Sequence, residues 1–411
     1  MPPDVRTPRR DVAMLRSLRH RNFRLFFFGQ GISLVGTWMQ GVAVGWLVYR
    51  LTGSAWDLGT VGFAGQILTF VMAPVAGVMA DRWNRRRLVL AAQIAATLQA
   101  LALAALTLAD IIQVWHIIIL CLFGGFVRGF EIPTRQSFVV EMLDDRSDLP
   151  NAIALNSFMV NGSRFIGPML AGLLIVWTGE GICFLLNGLS FLAVIGALLA
   201  MRIPTRVIAP PTTDMLGELK EGFLYAARSG PIRSVLVLLC LVSLAGVPYT
   251  VLMPIFAKEI LHGDSHTNGF LLGAVGAGAM AGAVRLASRR TVAGIGRTIA
   301  LGAGAFGLGL VAFSLSSNFA LSMAILVWTG GAMMMQMASS NTLLQTIVDE
   351  DKRGRVMSFY TMAFMGMGPF GSLLAGHLAE SFDAPTAVLV GGAACIVGAI
   401  AFGPWLARIK M

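Results

Sequence analysis

Gly77-Val-Met-Ala-Asp81-Arg82-Trp83-Asn84-Arg85-Arg86-Arg87 is a short polar bridge between two long apolar runs, near residues 57–80 and 88–109. At about 1.5 Å per residue each run reaches across a hydrocarbon core of roughly 30 Å, which makes it a spanning helix. Within the bridge, Gly77 permits close helix approach and Asp81 suits exposed helix N-terminal amides or a neighbouring arginine. Arg82 and Arg85 to Arg87 anchor one membrane face. Selection for positive charge alone explains the arginines, but not Gly77 and Asp81 at this spacing.

Runs of the same kind fill the chain. Of 411 residues 56% are hydrophobic and 13% charged, and the mean hydropathy is +0.74, so water is not the solvent for most of the surface. The runs are continuous and rich in Leu, Ala, Gly, Val and Met, unlike the alternating segments of a membrane β-barrel. Spans are expected near 24–50, 57–80, 88–109, 113–134, 151–178 and 181–201, then near 231–257, 267–288, 298–316, 319–345, 356–379 and 385–407. An even number of spans puts both termini on one side. Of the 31 Lys and Arg, 27 fall on that side; Arg50 and Lys258 lie opposite, and Arg128 and Arg164 lie within spans. This asymmetry places both termini in the cytoplasm of a bacterial inner membrane protein. It also accounts for the net charge of +10 without nucleic acid, whose binding wants a soluble basic face.

The basic stretch 1–22 lacks a signal-peptide cleavage pattern and reads as a tail. Residues 23–201 and 231–407 read as two six-helix bundles joined by a linker, 202–230, that holds Pro204, Pro210 and Pro211; 408–411 is a short second tail. Internal similarity supports the division. Leu51, Gly53 and Gly59 recur as Leu261, Gly263 and Gly269 at an offset of 210, Asp144-Asp145 as Asp349-Glu350, and Ala171-Gly172 as Ala375-Gly376 at an offset of 204. The expected fold is an all-α membrane protein of twelve transmembrane helices in two pseudo-symmetric bundles that rock about a midplane cavity. Cys121, Cys183, Cys240 and Cys395 all fall in spans without CxxC spacing and read as small core residues.

The 77–87 bridge resembles the loop motif of the major facilitator superfamily, with glycine, acid and arginine cluster in order between the second and third spans. Arg164-Phe-Ile-Gly167-Pro168-Met-Leu-Ala171-Gly172 resembles that superfamily's exporter-associated motif in span 5; in span 11, Gly368-Pro369 and Gly376 echo it, displaced by three residues. With Glu131-Ile-Pro133-Thr-Arg135, Asn151 to Ser157 and Phe184 to Phe191, the chain looks like the exporter branch that includes the enterobactin exporter and macrolide efflux proteins. The resemblance implies export of siderophores, antibiotics or lipid-like molecules driven by protons. In the second half the loop motif is degraded: Arg285, Arg289 and Arg290 remain, without an acid.

Charges inside spans cost about 2.5–3.5 kcal/mol each on insertion scales, so each needs a reason. Arg164 lies deepest, either as a receptor for an anionic group or a proton-linked switch, or as one member of a structural pair. Arg128, Glu131 and Arg135 share one face of span 4 at i, i+3 and i+7. A cytoplasmic gate or structural network is favoured there over proton coupling at Glu131, because Arg128 stabilises its charged form. Asp57 is a proton entry point or, more simply, a solvated helix start. Trp38, Gln40, Trp46, Tyr249, Trp328 and Gln336 are candidate cavity residues for a large, partly aromatic ligand, each with helix packing as the plainer role.

No phosphate-binding GxxxxGK[ST] occurs, and the five histidines are scattered without HExxH or GxSxG, so no enzyme, metal or cofactor is expected. The expectation is a monomeric antiporter that exports an amphipathic small molecule against protons, with membrane lipid around it. The alternatives are a lipid flippase or importer on the same scaffold, and a non-transporting receptor, which the short loops disfavour.

Overall fold

Turn chemistry sets the helix boundaries. Helix α1 (Arg21–Thr52) ends at Gly53, whose φ of 64° is left-handed and suits glycine. Ser54 caps α2 (Ala55–Arg82), its Oγ accepting from the Asp57 amide at 3.2 Å, and Asn84 caps α3 (Arg85–Leu108), its Oδ1 accepting from the Arg87 amide at 3.1 Å. Helices α4 (Val114–Phe138), α5 (Leu149–Thr178) and α6 (Glu180–Ala200) follow. The computed structural model describes residues 15–203, 223–288, 294–350 and 352–407. Most of the expected tail 1–22 and linker 202–230, the segment 408–411, Arg289 and Arg290, and the side chains of Gly77, Asp81 and Arg82 lie outside the described residues.

Beyond the linker, α7 is one helical rod over Gly230–Ile260 whose winding changes along its length. It is α-helical over Gly230–Leu241, widens to π over Val242–Gly246, tightens to 3-10 over Val247–Leu252, makes one α turn at Met253–Ile255 and ends as π over Phe256–Ile260. Pro248 and Pro254 lack the amide a regular ladder needs, which accounts for the changes of pitch. Five helices complete the chain: α8 (Ser265–Ala287), capped by Asp264, α9 (Ile295–Ser314), α10 (Phe319–Ile347), capped by Asn318, α11 (Arg353–Ser381) and α12 (Ala384–Ala407). Counting the two α stretches of α7 separately, these elements make thirteen α-helices. Ten helical segments there are long and apolar enough to cross a bilayer, α2 and α11 being the two rods outside that set. Leu98, Leu192, Leu301 and Ile400 point outward and more than half exposed, as side chains solvated by hydrocarbon do.

Packing follows the internal repeat. Helix α1 lies against α5 and α6, α3 against α4 and α6, and α2 against α4; later in the chain α7 lies against α11 and α12, α9 against α10 and α12, and α8 against α10. The two sets meet along two seams, α2 with α11 and α5 with α8. At the first, a Cβ on Gly376 would fall 2.8 Å from the Ala55 carbonyl and 2.9 Å from the Gly59 Cα; at the second, a Cβ on Gly172 would fall 2.8 Å from the Ser265 carbonyl and 3.1 Å from the Gly269 Cα. The repeated glycines thus pair crosswise, and each seam is a backbone-to-backbone contact that a side chain would wedge apart.

Both seams lie at one end of the molecule. There Arg50, at the end of α1, is bidentate to Glu180, at the start of α6 (2.9 and 3.1 Å), and the Tyr49 hydroxyl donates to Glu259 of α7. At the other end, the tail end, Arg86 at the start of α3 donates to the Leu198 and Leu199 carbonyls that finish α6, and Arg85 meets Glu141 at 2.9 Å. His20, just before α1, is buried there between Asp144 (3.1 Å) and Asp148 (2.8 Å), while Arg16 pairs with Asp148 and the Ser17 hydroxyl donates to Asn151. Its counterpart in the second half is Tyr225, whose hydroxyl donates to Asp349 at 3.0 Å.

Burial opposes a charge on His20, but the hydrogen bonds to Asp148 and Asp144 outweigh it and raise the imidazole above its ordinary value of 6.5. A histidine raised on folding contributes fully below its ordinary value, and that contribution fades as pH climbs through the folded one. The thermal midpoint gap between wild type and His20→Gln in detergent is therefore expected to be widest below pH 6.5 and to close as the solution becomes alkaline. In the same assay Gly376→Val should lose about 1–3 kcal/mol to overpacking, whereas Gly41→Ala, whose Cβ meets nothing within 4 Å, should match wild type.

Candidate functional site

Between the seams and the tail end lies a cavity of about 570 Å³. Helix α1 presents Gln30, Ser33, Thr37 and Gln40 to it, at i, i+3, i+7 and i+10, a polar stripe along one face of an otherwise apolar helix. Gln66 and Thr69 of α2, Gln93 and Gln99 of α3, and Asn156 and Asn187 of α5 and α6 continue the wall. From the second half, among the described residues, come only Ser243 and Val247 of α7 and Phe364, Met365 and Gly368 of α11. The α7 residues sit where its pitch changes, and the Ser243 hydroxyl donates to the Phe364 carbonyl, tying α7 to α11 at that point.

Buried amides need partners, and here they form a directed chain. Asn187 Nδ2 donates to Gln40 Oε1 at 2.7 Å, Gln40 Nε2 to Gln99 Oε1 at 3.0 Å, and Gln99 Nε2 to the Leu120 carbonyl at 3.1 Å. All three side chains are buried, so the chain links α6, α1, α3 and α4 through fixed orientations. Arg128 Nη2 donates to the Gly65 carbonyl at 2.6 Å, and the Thr69 hydroxyl to the Gly125 carbonyl at 2.9 Å. Glycines at 125 and 129 let α4 come this close to α2.

Among the described residues the cavity's charges are uneven: three guanidinium groups, Arg128, Arg135 and Arg164, against one carboxylate, Glu131. Arg135 Nε meets Glu131 at 2.6 Å, with both side chains nearly buried, so Glu131 pairs one turn along the helix with Arg135 rather than with Arg128 as the spacing first suggested. Arg164 has no hydrogen bond or ion pair among the described residues; its guanidinium lies over the Trp38 ring, 5.5 Å from the centroid. A cation–π contact of about 0.5–2 kcal/mol does not offset the price of a charge at this depth.

Of the residues singled out in the sequence, Trp38, Gln40, Arg128, Glu131, Arg135, Arg164 and Gly368 line this space. Trp46 instead packs against the apolar core, and Tyr249 and Gln336 are buried outside the cavity with unpartnered polar atoms. Trp328 is 63% exposed on the perimeter, its indole N–H donating to the Ala305 carbonyl. Asp57 lies in the first turn of α2, at the far end from the cavity mouth. Gly167 seats α5 against Trp38 and Val35 of α1, and Pro168 and Pro369 stand within α5 and α11. Arg85 and Arg86 hold helix ends together. The amides of α3 and α6 were missed because they stand singly in apolar runs. The α1 stripe was detectable from its period alone.

Removal of Glu131 leaves Arg135 buried and unpaired. Glu131→Gln is thus expected to destabilise by about 3–5 kcal/mol, and adding Arg135→Leu should recover much of the loss, read as thermal midpoints of the two variants.

Comparison with known proteins gives a family match over residues 12–408, to transmembrane secretion effectors. The chain is 24% identical to the staphyloferrin A transporter of Staphylococcus aureus over 87% of its own length and 90% of the relative's. It is 27% identical to the enterobactin exporter EntS of Shigella boydii, over 87% and 85%. Among solved structures, the nucleoside transporter NupG superposes with a TM-score of 0.71 at 14% identity, covering 96% of this chain and 100% of that one. A bacterial homologue of the lysosomal transporter Spinster, in an inward-facing and unoccupied conformation, superposes with a TM-score of 0.69 at 14% identity, over 95% and 97%.

Proposed function

This chain belongs to the transmembrane secretion effector family of the major facilitator superfamily, and on that premise we propose that it exports an anionic, amphipathic small molecule in exchange for protons, by alternating access. It is a membrane transporter, not an enzyme. Twelve spans in two six-helix bundles, termini in the cytoplasm and a monomeric protein in lipid complete the reading, supported by the Lys and Arg asymmetry and by the crosswise packing of the two helix sets. On this orientation the tail end is cytoplasmic, so the cavity faces the cytoplasm and the glycine seams close the outer side.

One observation carries the cargo class: among the described residues three guanidinium groups face one carboxylate, and Arg164 has no anion of its own. Such a wall attracts acidic oxygen-rich molecules, which the belt of Gln and Asn side chains suits with its donors and acceptors. Trp38, held by Arg164, offers a flat face for the apolar part of the cargo. The relatives named for staphyloferrin A and enterobactin make siderophores the first cargo to try. A lipid cargo is the second reading. A largely apolar groove of about 1470 Å³ runs between α8, α9 and α10, with Trp328 along it and Arg285, Ser288 and Thr298 among its polar residues.

In inverted vesicles carrying the purified protein, an acidic siderophore should accumulate under a proton gradient and stop with a protonophore. Arg164→Ala should raise its KM by at least about tenfold, and Arg164→Lys by less. Movement of cationic dyes or macrolides alone would overturn the anion reading. Movement of labelled lipid alone would favour the second.

A further inference from the structure

The first amides of α2 are satisfied from the other half of the protein. Glu380, in the last turn of α11, accepts from the backbone amides of Ala55 at 2.8 Å and Trp56 at 3.1 Å, and from the Ser54 hydroxyl at 3.3 Å. Trp56 also meets His377 of α11 edge to face, at 6.2 Å between centroids. A carboxylate on a helix N-terminus gains from both the orphan donors and the positive end of the dipole.

The internal repeat shows what is particular here. At the offset of 210, Ser54 corresponds to Asp264, which caps its own helix by accepting from the His266 and Thr267 amides at 3.0 and 3.2 Å. At the offset of 204, Glu380 corresponds to Val176. Helix α8 therefore supplies its own cap, and α5 offers it no acid. The α5–α8 seam has only the Ser265 hydroxyl on the Gly172 carbonyl, at 3.4 Å. On α2 the neutral Ser54 takes the Asp57 amide and leaves Ala55 and Trp56 to Glu380.

We propose that Glu380 is the latch of the outer seal: its carboxylate caps α2 across the α2–α11 seam, and loss of that cap shifts the transporter towards its outward-open state. The inference rests on the orientation and alternating access proposed above. Glu380 is exposed, so the outer solution reaches it directly. The titratable groups about it are Asp57 on α2, His377 on α11, Asp383 just beyond α11, Tyr49 of α1 and its partner Glu259 of α7; Lys258 lies over the Tyr49 ring. Asp383 accepts from the Thr386 amide, and Glu259 from Tyr49, so both are already engaged. Glu380 is the acid whose bonds run to the backbone of the opposite half. It touches no cargo and acts as a positioning residue, through the inward–outward equilibrium.

The test is the distance between spin labels at Leu51→Cys and Phe382→Cys, on opposite halves at the outer end, in the full chain in nanodiscs with the native cysteines replaced. In wild type the shorter, outward-closed distance should dominate. Glu380→Gln should raise the population of the longer, outward-open distance about three- to tenfold, with Glu380→Asp in between. Ser54→Asp combined with Glu380→Gln gives α2 its own cap, which separates local helix fraying from the latch: the outer end should remain shifted to the open state. Unchanged distances in Glu380→Gln overturn the proposal, as does full return to wild-type behaviour in the double variant. Gradient-driven export with unmoved distances sinks the latch alone. Moved distances without cargo transport keep the latch and sink the export reading.

Discussion

Two pairs of glycines hold the molecule in its present form. Gly59 against Gly376 and Gly172 against Gly269 bring four helices to backbone contact at one end, and the space left at the other end is the cavity. In a bilayer there is no water to drive such helices together, so close approach of small residues and a few polar bonds must do it. That makes the seams strong while closed and cheap to separate. Lipid and water cover the exposed faces without the large penalty that opening a soluble core would carry.

The polar bonds are distributed unevenly over this frame. At the tail end, Arg85, Arg86, His20 and Arg16 tie together helices of one half, stiffening α1–α6 as a body. At the seam end, Tyr49–Glu259 and Glu380 with the start of α2 run between the halves. Bonds within a body resist deformation, and bonds between bodies resist separation. A body that rotates as a unit needs the first kind throughout its motion and the second kind only at its end points.

Much of this was legible in the sequence because hydrophobic length and the repeat are strong signals. The offsets that join Gly59 to Gly269 and Gly172 to Gly376 named all four seam glycines; which of them meet was not readable, since the repeat aligns equivalents while the seams pair each glycine with a non-equivalent one. Arg164 and the Arg128–Glu131–Arg135 face were found because charge in a span is rare. Gln99 and Asn187 were passed over because a single amide in an apolar run is common, and only three-dimensional packing joins them through Gln40 into one hydrogen-bonded chain. Trp328 and Tyr249 lie off the cavity that holds Arg164, Trp328 lining the groove between α8, α9 and α10 instead, because aromatic type says nothing about which way a helix face turns.

The cavity wall comes almost entirely from α1 to α6, with only a few residues of α7 and α11 opposite. In the export reading proposed above, cargo contacts therefore gather on one half, while the seams that close the other end take two glycines from each half. Substitution along the α1–α6 wall can then change what is bound without touching a seam, whereas a change at any seam glycine acts on both halves at once.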